Sequence, residues 1–233
     1  MELTESQSYA GRGLDQRTQA RLSLLGDLIL GAGFNVTSVT EPREVERMHF
    51  LDSLSLLDLP CVLSAQRLVD VGSGAGLPAL VLALALPALQ VVGLESQRKK
   101  CDFMERAAKL LCLDNVEVRC ARAEDYGRRE GRETHDVAVS RAVAALPVVA
   151  ELSLPLVAMG GSMVAMKGAI SDQERIQAEI ALGILGSETL EVVRLRPFAD
   201  AQNRFAYVGR KTRATPERYP RRPGVPGKCP LGR

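Results

Sequence analysis

One stretch of this 233-residue chain restricts its fold more than any other: Leu68-Val69-Asp70-Val71-Gly72-Ser73-Gly74-Ala75-Gly76-Leu77-Pro78. A short apolar, β-branched run passes through a G-x-G-x-G turn into a helix-forming segment. Pro78 stands near the first helical turn, where a missing N–H costs little. Glycine lets the backbone turn tightly and approach a ligand without a Cβ in the way. The free N–H groups of a helix start then favour a negatively charged group beyond the strand end. Dinucleotide folds usually space these glycines G-x-G-x-x-G. Here the third comes one residue early, and an acid, Asp70, precedes the loop. Glu95 closes the next apolar run, 25 residues after Asp70. A carboxylate there accepts both ribose hydroxyls of an adenosine. Gly74 and Glu95 are therefore the first expected cofactor contacts. An acidic approach suits a ligand with a cationic amino-acid end better than a pyrophosphate. S-adenosylmethionine is the expected cofactor, with NAD as the rival.

Around this loop the texture is α/β. Apolar runs at 68–71, 91–94, 116–118, 137–139, 162–166, 190–195 and 205–208 alternate with helical patterns at 77–86, 97–111, 147–158 and 172–185. Ser171-Asp172-Gln173-Glu174 reads as a capping box opening the last helix. Strand–helix alternation implies right-handed βαβ units and a parallel sheet covered on both faces. Seven strands, the last two joined by a loop, predict a Rossmann-like, mostly parallel sheet closed by an antiparallel hairpin. Upstream, Leu14, Leu22, Leu25, Leu28 and Ile29 recur at helical spacing, and a second helix begins at Pro42. The expected organisation is a helical extension over residues 1–60, a Rossmann-like domain over 61–211 and an extended basic, Pro-rich arm over 212–233.

Charge and cysteine usage narrow the setting. The formal charge is only +2, yet residues 204–233 hold nine basic residues against one acid, leaving residues 1–203 at −6. That asymmetry predicts a polyanion partner for the tail, although on charge alone a solubilising tail fits as well. Five cysteines without a C-x-x-C indicate a reduced, cytoplasmic chain. Two histidines exclude a His-based metal cluster, and no metal is expected. The N-terminus lacks the pattern of a signal peptide. The apolar stretch 77–94 is broken by Pro78, Pro87 and Gln90, so no membrane partner is expected.

Two further strand ends face the same crevice. Ala123, Glu124 and Asp125 follow the third strand, either as the edge of an adenine site or as a solvated turn. Arg141 follows the fourth strand within Ser140-Arg141-Ala142-Val143-Ala144, and Lys167 ends the fifth. His49 and Asp52 lie one turn apart on a helix. Without further information His49 reads as a packing residue in preference to a catalyst. No nucleophile–base constellation is evident.

These residues resemble the RsmG family, also called glucose-inhibited division protein B, the bacterial small-subunit rRNA guanine-N7 methyltransferases. The matching elements are His49-Phe50-Leu51-Asp52-Ser53-Leu54, the glycine loop from Asp70 to Pro78, Arg122-Ala123-Glu124, Ser140-Arg141-Ala142 and Lys167-Gly168. They occur in the family's order over residues 34–211. The H-F-L-D-S-L and S-R-A blocks are the specific ones; many methyltransferases share the loop. Where members usually carry a Trp-Asn pair ahead of Phe34-Asn35-Val36-Thr37, this chain has Leu30-Gly31. The resemblance implies a class I S-adenosylmethionine-dependent methyltransferase fold. It also implies methylation at N7 of guanine 527 in 16S ribosomal RNA, by a monomer acting on the small ribosomal subunit. By the same resemblance Gly72, Leu77, Ala123, Glu124 and Arg141 contact the cofactor. Arg141 and Lys167 are the positioning candidates for the guanine O6 or a flanking phosphate, and the basic arm the candidate for RNA contacts. The alternatives are a non-catalytic ribosome-assembly factor on this fold and an NAD-dependent oxidoreductase.

Overall fold

Seven strands form one sheet in the order β3-β2-β1-β4-β5-β7-β6 in a computed structural model that describes residues 1–34, 37 and 39–233. Asn35 and Val36 of the family-like segment lie outside the described residues. Along the chain, α1 (Ser6–Ala10) and α2 (Gln16–Leu30) come first, α2 starting where the Asp15 carboxylate accepts from Thr18 N. Next is a helical run of changing pitch, opened by α3 (Pro42–Val45). It widens into a π-helical turn at Glu46–Leu51 and tightens through α4 (Asp52–Leu54) and the 3-10 turn Ser55–Asp58. A short α5 (Pro60–Leu63) then leads into β1 (Arg67–Val71).

The alternating part follows the expected order. It comprises α6 (Ala79–Ala85), β2 (Gln90–Glu95), α7 (Arg98–Leu110), β3 (Val116–Cys120), α8 (Ala123–Tyr126), β4 (His135–Arg141) and α9 (Leu146–Ser153). After it come β5 (Val157–Lys167), α10 (Asp172–Leu185), β6 (Glu191–Arg194), β7 (Phe205–Arg210) and α11 (Val225–Lys228). β1 to β5 are parallel, and β7 inserts antiparallel between β5 and β6, the expected closing hairpin.

One boundary and one cap differ from the sequence reading. The helix expected over 147–158 ends at Ser153, and β5 begins at Val157 after a 3-10 turn. Pro155 lacks the N–H that would continue the helix. Ser171 caps α10 through Glu174 N, but the Glu174 carboxylate turns away to Leu146 N, so only half of the capping box forms.

Side-chain alternation along the strands builds two cores. Val69 and Val71 pack with Leu146, Val149, Ala181 and Leu182 on one face of the sheet, while Leu68, Val137, Val139 and Val164 pack with α6 on the other. α6 reads Ala-Leu-Val-Leu-Ala-Leu-Ala and is apolar all round, because the N-terminal helices cover the side that the sheet does not. Leu80, Leu82 and Leu84 are each buried, worth roughly 1.5–3 kcal/mol apiece.

The C-terminal segment corrects an expectation. It is not a free arm but a strap on the α8/α9 face. Lys211 is buried and donates to Glu133 Oε1 at 2.8 Å; Arg128 and Arg132 donate to carbonyls of Pro220, Tyr219 and Thr215. Arg221 forks onto the fully buried Glu151, and Tyr219 sits in the core beside Tyr126. Composition did not show this, because the strap is held by ion pairs and carbonyl contacts supplied by distant segments.

Candidate functional site

The strand order reverses between β1 and β4, and ligands of open α/β sheets bind in the crevice outside the strand ends at such a point. The loop after β1 and the end of β4 flank it, above a cavity of about 670 Å³. Gly72, Gly74 and Leu77 of the glycine loop, Arg141, Lys167, His49 and Asp52 all line that cavity.

The loop has the backbone that its glycines were expected to permit. Gly72, Gly74 and Gly76 have φ of 72°, 60° and 81°, in the left-handed region. A Cβ on Gly72 would meet Val143 Cγ2 at 2.9 Å, whereas one on Gly74 would meet nothing within 4 Å. The Gly74 side of the loop is the open face toward the cavity.

Beneath the loop, Asp70 is fully buried. Its Oδ2 accepts from Ser73 Oγ at 2.5 Å and Ala79 N at 3.1 Å; its Oδ1 is buried without a hydrogen-bond partner. Burial pushes the Asp70 carboxyl up to about 6, against the pull of those two donors. A buried anionic oxygen with no partner is a costly arrangement unless a cation completes it. Glu95, at the end of β2, accepts from Gly74 N at 3.0 Å through Oε2 and from Ser96 N and Gln97 N through Oε1. It pins the loop and keeps acceptor capacity on Oε2, since Oε1 is filled by its two backbone donors.

The opposite wall is cationic. Arg141 Nη1 donates to Asp52 Oδ2 at 3.1 Å and to the Met48 carbonyl at 3.1 Å. Arg204 Nε, at the start of β7, lies 3.3 Å from Asp52 Oδ1, close enough for charge pairing though not aligned as a hydrogen bond. One carboxylate therefore holds two guanidinium groups, one from β4 and one from beside β7. Lys167 Nζ donates to Ala144 O at 2.7 Å and lies 3.4 Å from Glu174. Ala142, just after Arg141, has φ of 55°, a strained value for a residue with a Cβ and one that recurs at functional sites. His49 lies between Thr37 Oγ1 (2.7 Å from Nε2) and Met48 O (3.1 Å from Nδ1). Burial, and then the charge of Arg141, lower its pKa to about 4, so the ring is neutral near pH 7.

The other expected residues stand apart. Glu95 acts through the loop and does not line the cavity. Glu124 is buried on α8, where its Oε1 accepts from Gly224 N of the strap at 2.9 Å, so this carboxylate faces the C-terminal segment in place of the cavity. Ala123 opens the same helix beside it. Arg204 was counted with the basic tail and had no motif to mark it; only the insertion of β7 beside β5 brings it to the cavity.

The arrangement offers glycine N–H groups at the cavity wall, with a strand-end carboxylate behind the loop and the buried Asp70 beneath it, neither of which lines the cavity itself. Across the cavity are guanidinium groups for a polar acceptor. Among the described residues no cluster of His, Cys, Asp and Glu has the makings of a metal site. No helix of the described residues is long and apolar enough to cross a membrane.

Residues 22–201 match the family model described as rRNA small subunit methyltransferase G. The chain is 39% identical to the ribosomal RNA small subunit methyltransferase G of Desulfitobacterium hafniense, covering 98% of this chain and 99% of that one. It is 43% identical to the protein of the same name from Rubrobacter xylanophilus, over 92% and 85% of the two chains. Among solved structures, an S-adenosylmethionine-dependent O-methyltransferase from Thermotoga maritima superposes with a TM-score of 0.57 at 17% identity, covering 82% of this chain and 72% of that one. That likeness establishes the class I methyltransferase fold.

Proposed function

Since the chain belongs to the rRNA small subunit methyltransferase G family, we propose that it transfers a methyl group from S-adenosylmethionine to N7 of one guanine of 16S ribosomal RNA. By family resemblance the guanine is number 527, and the enzyme works in the cytoplasm as a monomer on the small subunit. The observation that carries this reading is the cavity at the switch point, with Gly72, Gly74 and Leu77 of the glycine loop on one wall and the Asp52-held Arg141 on the other, above the buried Asp70.

The residues fit the cofactor. Asp70 would complete its charge on the α-ammonium, Gly72 and Gly74 offer the close backbone approach, Leu77 lines the same wall, and Glu95 Oε2 has acceptor room for one ribose hydroxyl. Ala123 and Glu124 remain candidates only for the adenine edge, reached through α8. When bound, S-adenosylmethionine supplies a methyl group already activated by the sulfonium. Guanine N7 carries an in-plane lone pair, so no side chain has to remove a proton. The neutral His49, and the lack of a base–nucleophile pair among the described residues, agree with that chemistry. The work left to the protein is positioning, which can lower a barrier by roughly 7–11 kcal/mol. Arg141, fixed at two points, is the group to hold the guanine O6, and Lys167 is its neighbour for a flanking phosphate. A base within structured RNA must be unstacked to enter.

The test is mass spectrometry of small-subunit rRNA from a strain lacking the gene. Loss of a single N7-methylguanine, restored by this chain but not by an Asp70→Asn form, supports the reading. An unchanged methylation pattern rejects it and leaves the binding-factor alternative.

A pH dependence follows. The free protein carries the Asp70 anion only above about pH 6. Affinity for S-adenosylmethionine is expected to fall as pH drops from 6 to 5, approaching tenfold per pH unit, while kcat at saturating cofactor stays level. Titration calorimetry between pH 5 and 8 reads this directly; a flat affinity would remove Asp70 from the cofactor site. Stability barely registers the same proton. The raised Asp70 pKa makes folding weaken as pH rises from about 4 to 6. The lowered His49 pKa makes it weaken as pH falls from 6.5 to about 4, and the two oppose each other.

A further inference from the structure

A second hollow adjoins the cavity. Arg12, Arg194 and Arg196 surround it together with Ser8 and Phe198, enclosing about 510 Å³. It lies on the loop between β6 and β7, whose two ends are joined where Leu195 N donates to Arg204 O at 2.9 Å. Leu195 and Arg204 both line the catalytic cavity, so one loop carries the cavity rim at its ends and the arginine hollow between them. The loop is held in place. Arg47 lies 4.4 Å from the Phe198 ring centre and pairs with Asp200.

Two of the three charges here are not consumed internally. Among the described residues, Arg194 and Arg196 are exposed and have no acid within ion-pair distance. Arg12 donates to the carbonyls of Ser8 and Arg196, and its Nε is buried without a partner. Its nearest acid is Asp58, at 3.9 Å. On the strap, Lys211, Arg213 and Arg221 are paired with Glu133, Glu188 and Glu151, while Arg218, Arg222, Lys228 and Arg233 are exposed without a paired acid among the described residues. What sets the loop apart is that its ends line the cavity and no strap residue does. Three guanidinium groups around one open hollow suit the oxygens of a phosphodiester, which a planar fork binds two at a time.

We infer that this arginine hollow on the β6–β7 loop, and not the C-terminal segment, is where the phosphate backbone flanking the target guanine is held. The inference rests on the RNA methyltransferase reading and adds, to the single phosphate assigned to Lys167, the surface that holds the backbone beyond the cavity.

The test is the double substitution Arg194→Glu with Arg196→Glu, both exposed, compared with Arg218→Glu with Lys228→Glu on the strap. The probe is a labelled small-subunit rRNA fragment carrying the target loop, with affinity measured by anisotropy from 50 to 300 mM salt. The loop variant is expected to bind about tenfold more weakly. Its slope of log K against log salt should shrink by about 1 per arginine, with thermal midpoint and S-adenosylmethionine affinity unchanged. Wild-type affinity and slope in the loop variant, or a loss found in the strap variant instead, would overturn the inference. Failure of the functional reading would show separately, as no methyl transfer by the wild-type chain, since the binding measurement does not depend on transfer.

Discussion

Replacing Arg141 by alanine is expected to lower kcat for methylation of small-subunit rRNA by two to three orders of magnitude. That is the usual cost of losing one positioned donor at a reacting centre, about 3–4 kcal/mol. The reason is geometric. Arg141 leaves β4 at the switch point and is fixed by Asp52 and the Met48 carbonyl, each at 3.1 Å. Lysine is not expected to rescue it, because one ammonium cannot reproduce the guanidinium fork. Asp52→Asn should behave as a positioning change. It leaves Arg141 held only by the Met48 carbonyl and a neutral acceptor, so kcat falls about tenfold, and folding is preserved because Asn keeps an acceptor. Single-turnover methyl transfer with purified subunits checks both. Wild-type kcat in the alanine variant would remove Arg141 from the reaction.

The largest effect on stability is expected from Arg221→Ala, far from the cavity. Glu151 has no exposed surface and accepts from Arg221 N, Nε and Nη2. Truncation leaves a buried carboxylate with one backbone donor. Breaking such a pair costs about 3–5 kcal/mol, and the lower end applies because Arg221 is partly exposed. For a chain of this size that is roughly 6–12 °C in thermal midpoint. Arg221→Ala combined with Glu151→Gln should recover part of the loss, since the orphaned charge is gone. Thermal unfolding monitored by circular dichroism reads the difference. A shift under about 2 °C would mean that the strap adds nothing to the fold. Deleting residues 212–233 should accordingly unfold the protein at lower temperature, not detach a dispensable RNA arm.

The pattern of what was legible follows from the range of the interactions involved. The strand–glycine–helix unit is local: three positive-φ glycines, the acid before them and the apolar run all lie within eleven residues, so sequence showed both the element and its chemistry. The seven strands and α10 were legible for the same reason. The π-helical turn at Glu46–Leu51 was not, because widening a helix by one residue leaves no compositional mark. Glu124 shows the opposite failure. A family-like position pointed it at the cofactor, yet its carboxylate holds Gly224, exactly 100 residues away along the chain.

The sequence by itself determined a Rossmann-like sheet, a glycine loop with an acid on each side and Arg141 at the next strand end, because each depends on spacing within one βα unit. Tertiary structure alone decided that Arg204 joins Arg141 on Asp52, that the basic tail is a strap with three of its cations paired, and that the unpaired arginines of the β6–β7 loop stand beside the cavity. Whether a charge is free or spent depends on which acid the fold brings within about 4 Å of it, and the linear sequence carries no record of that distance.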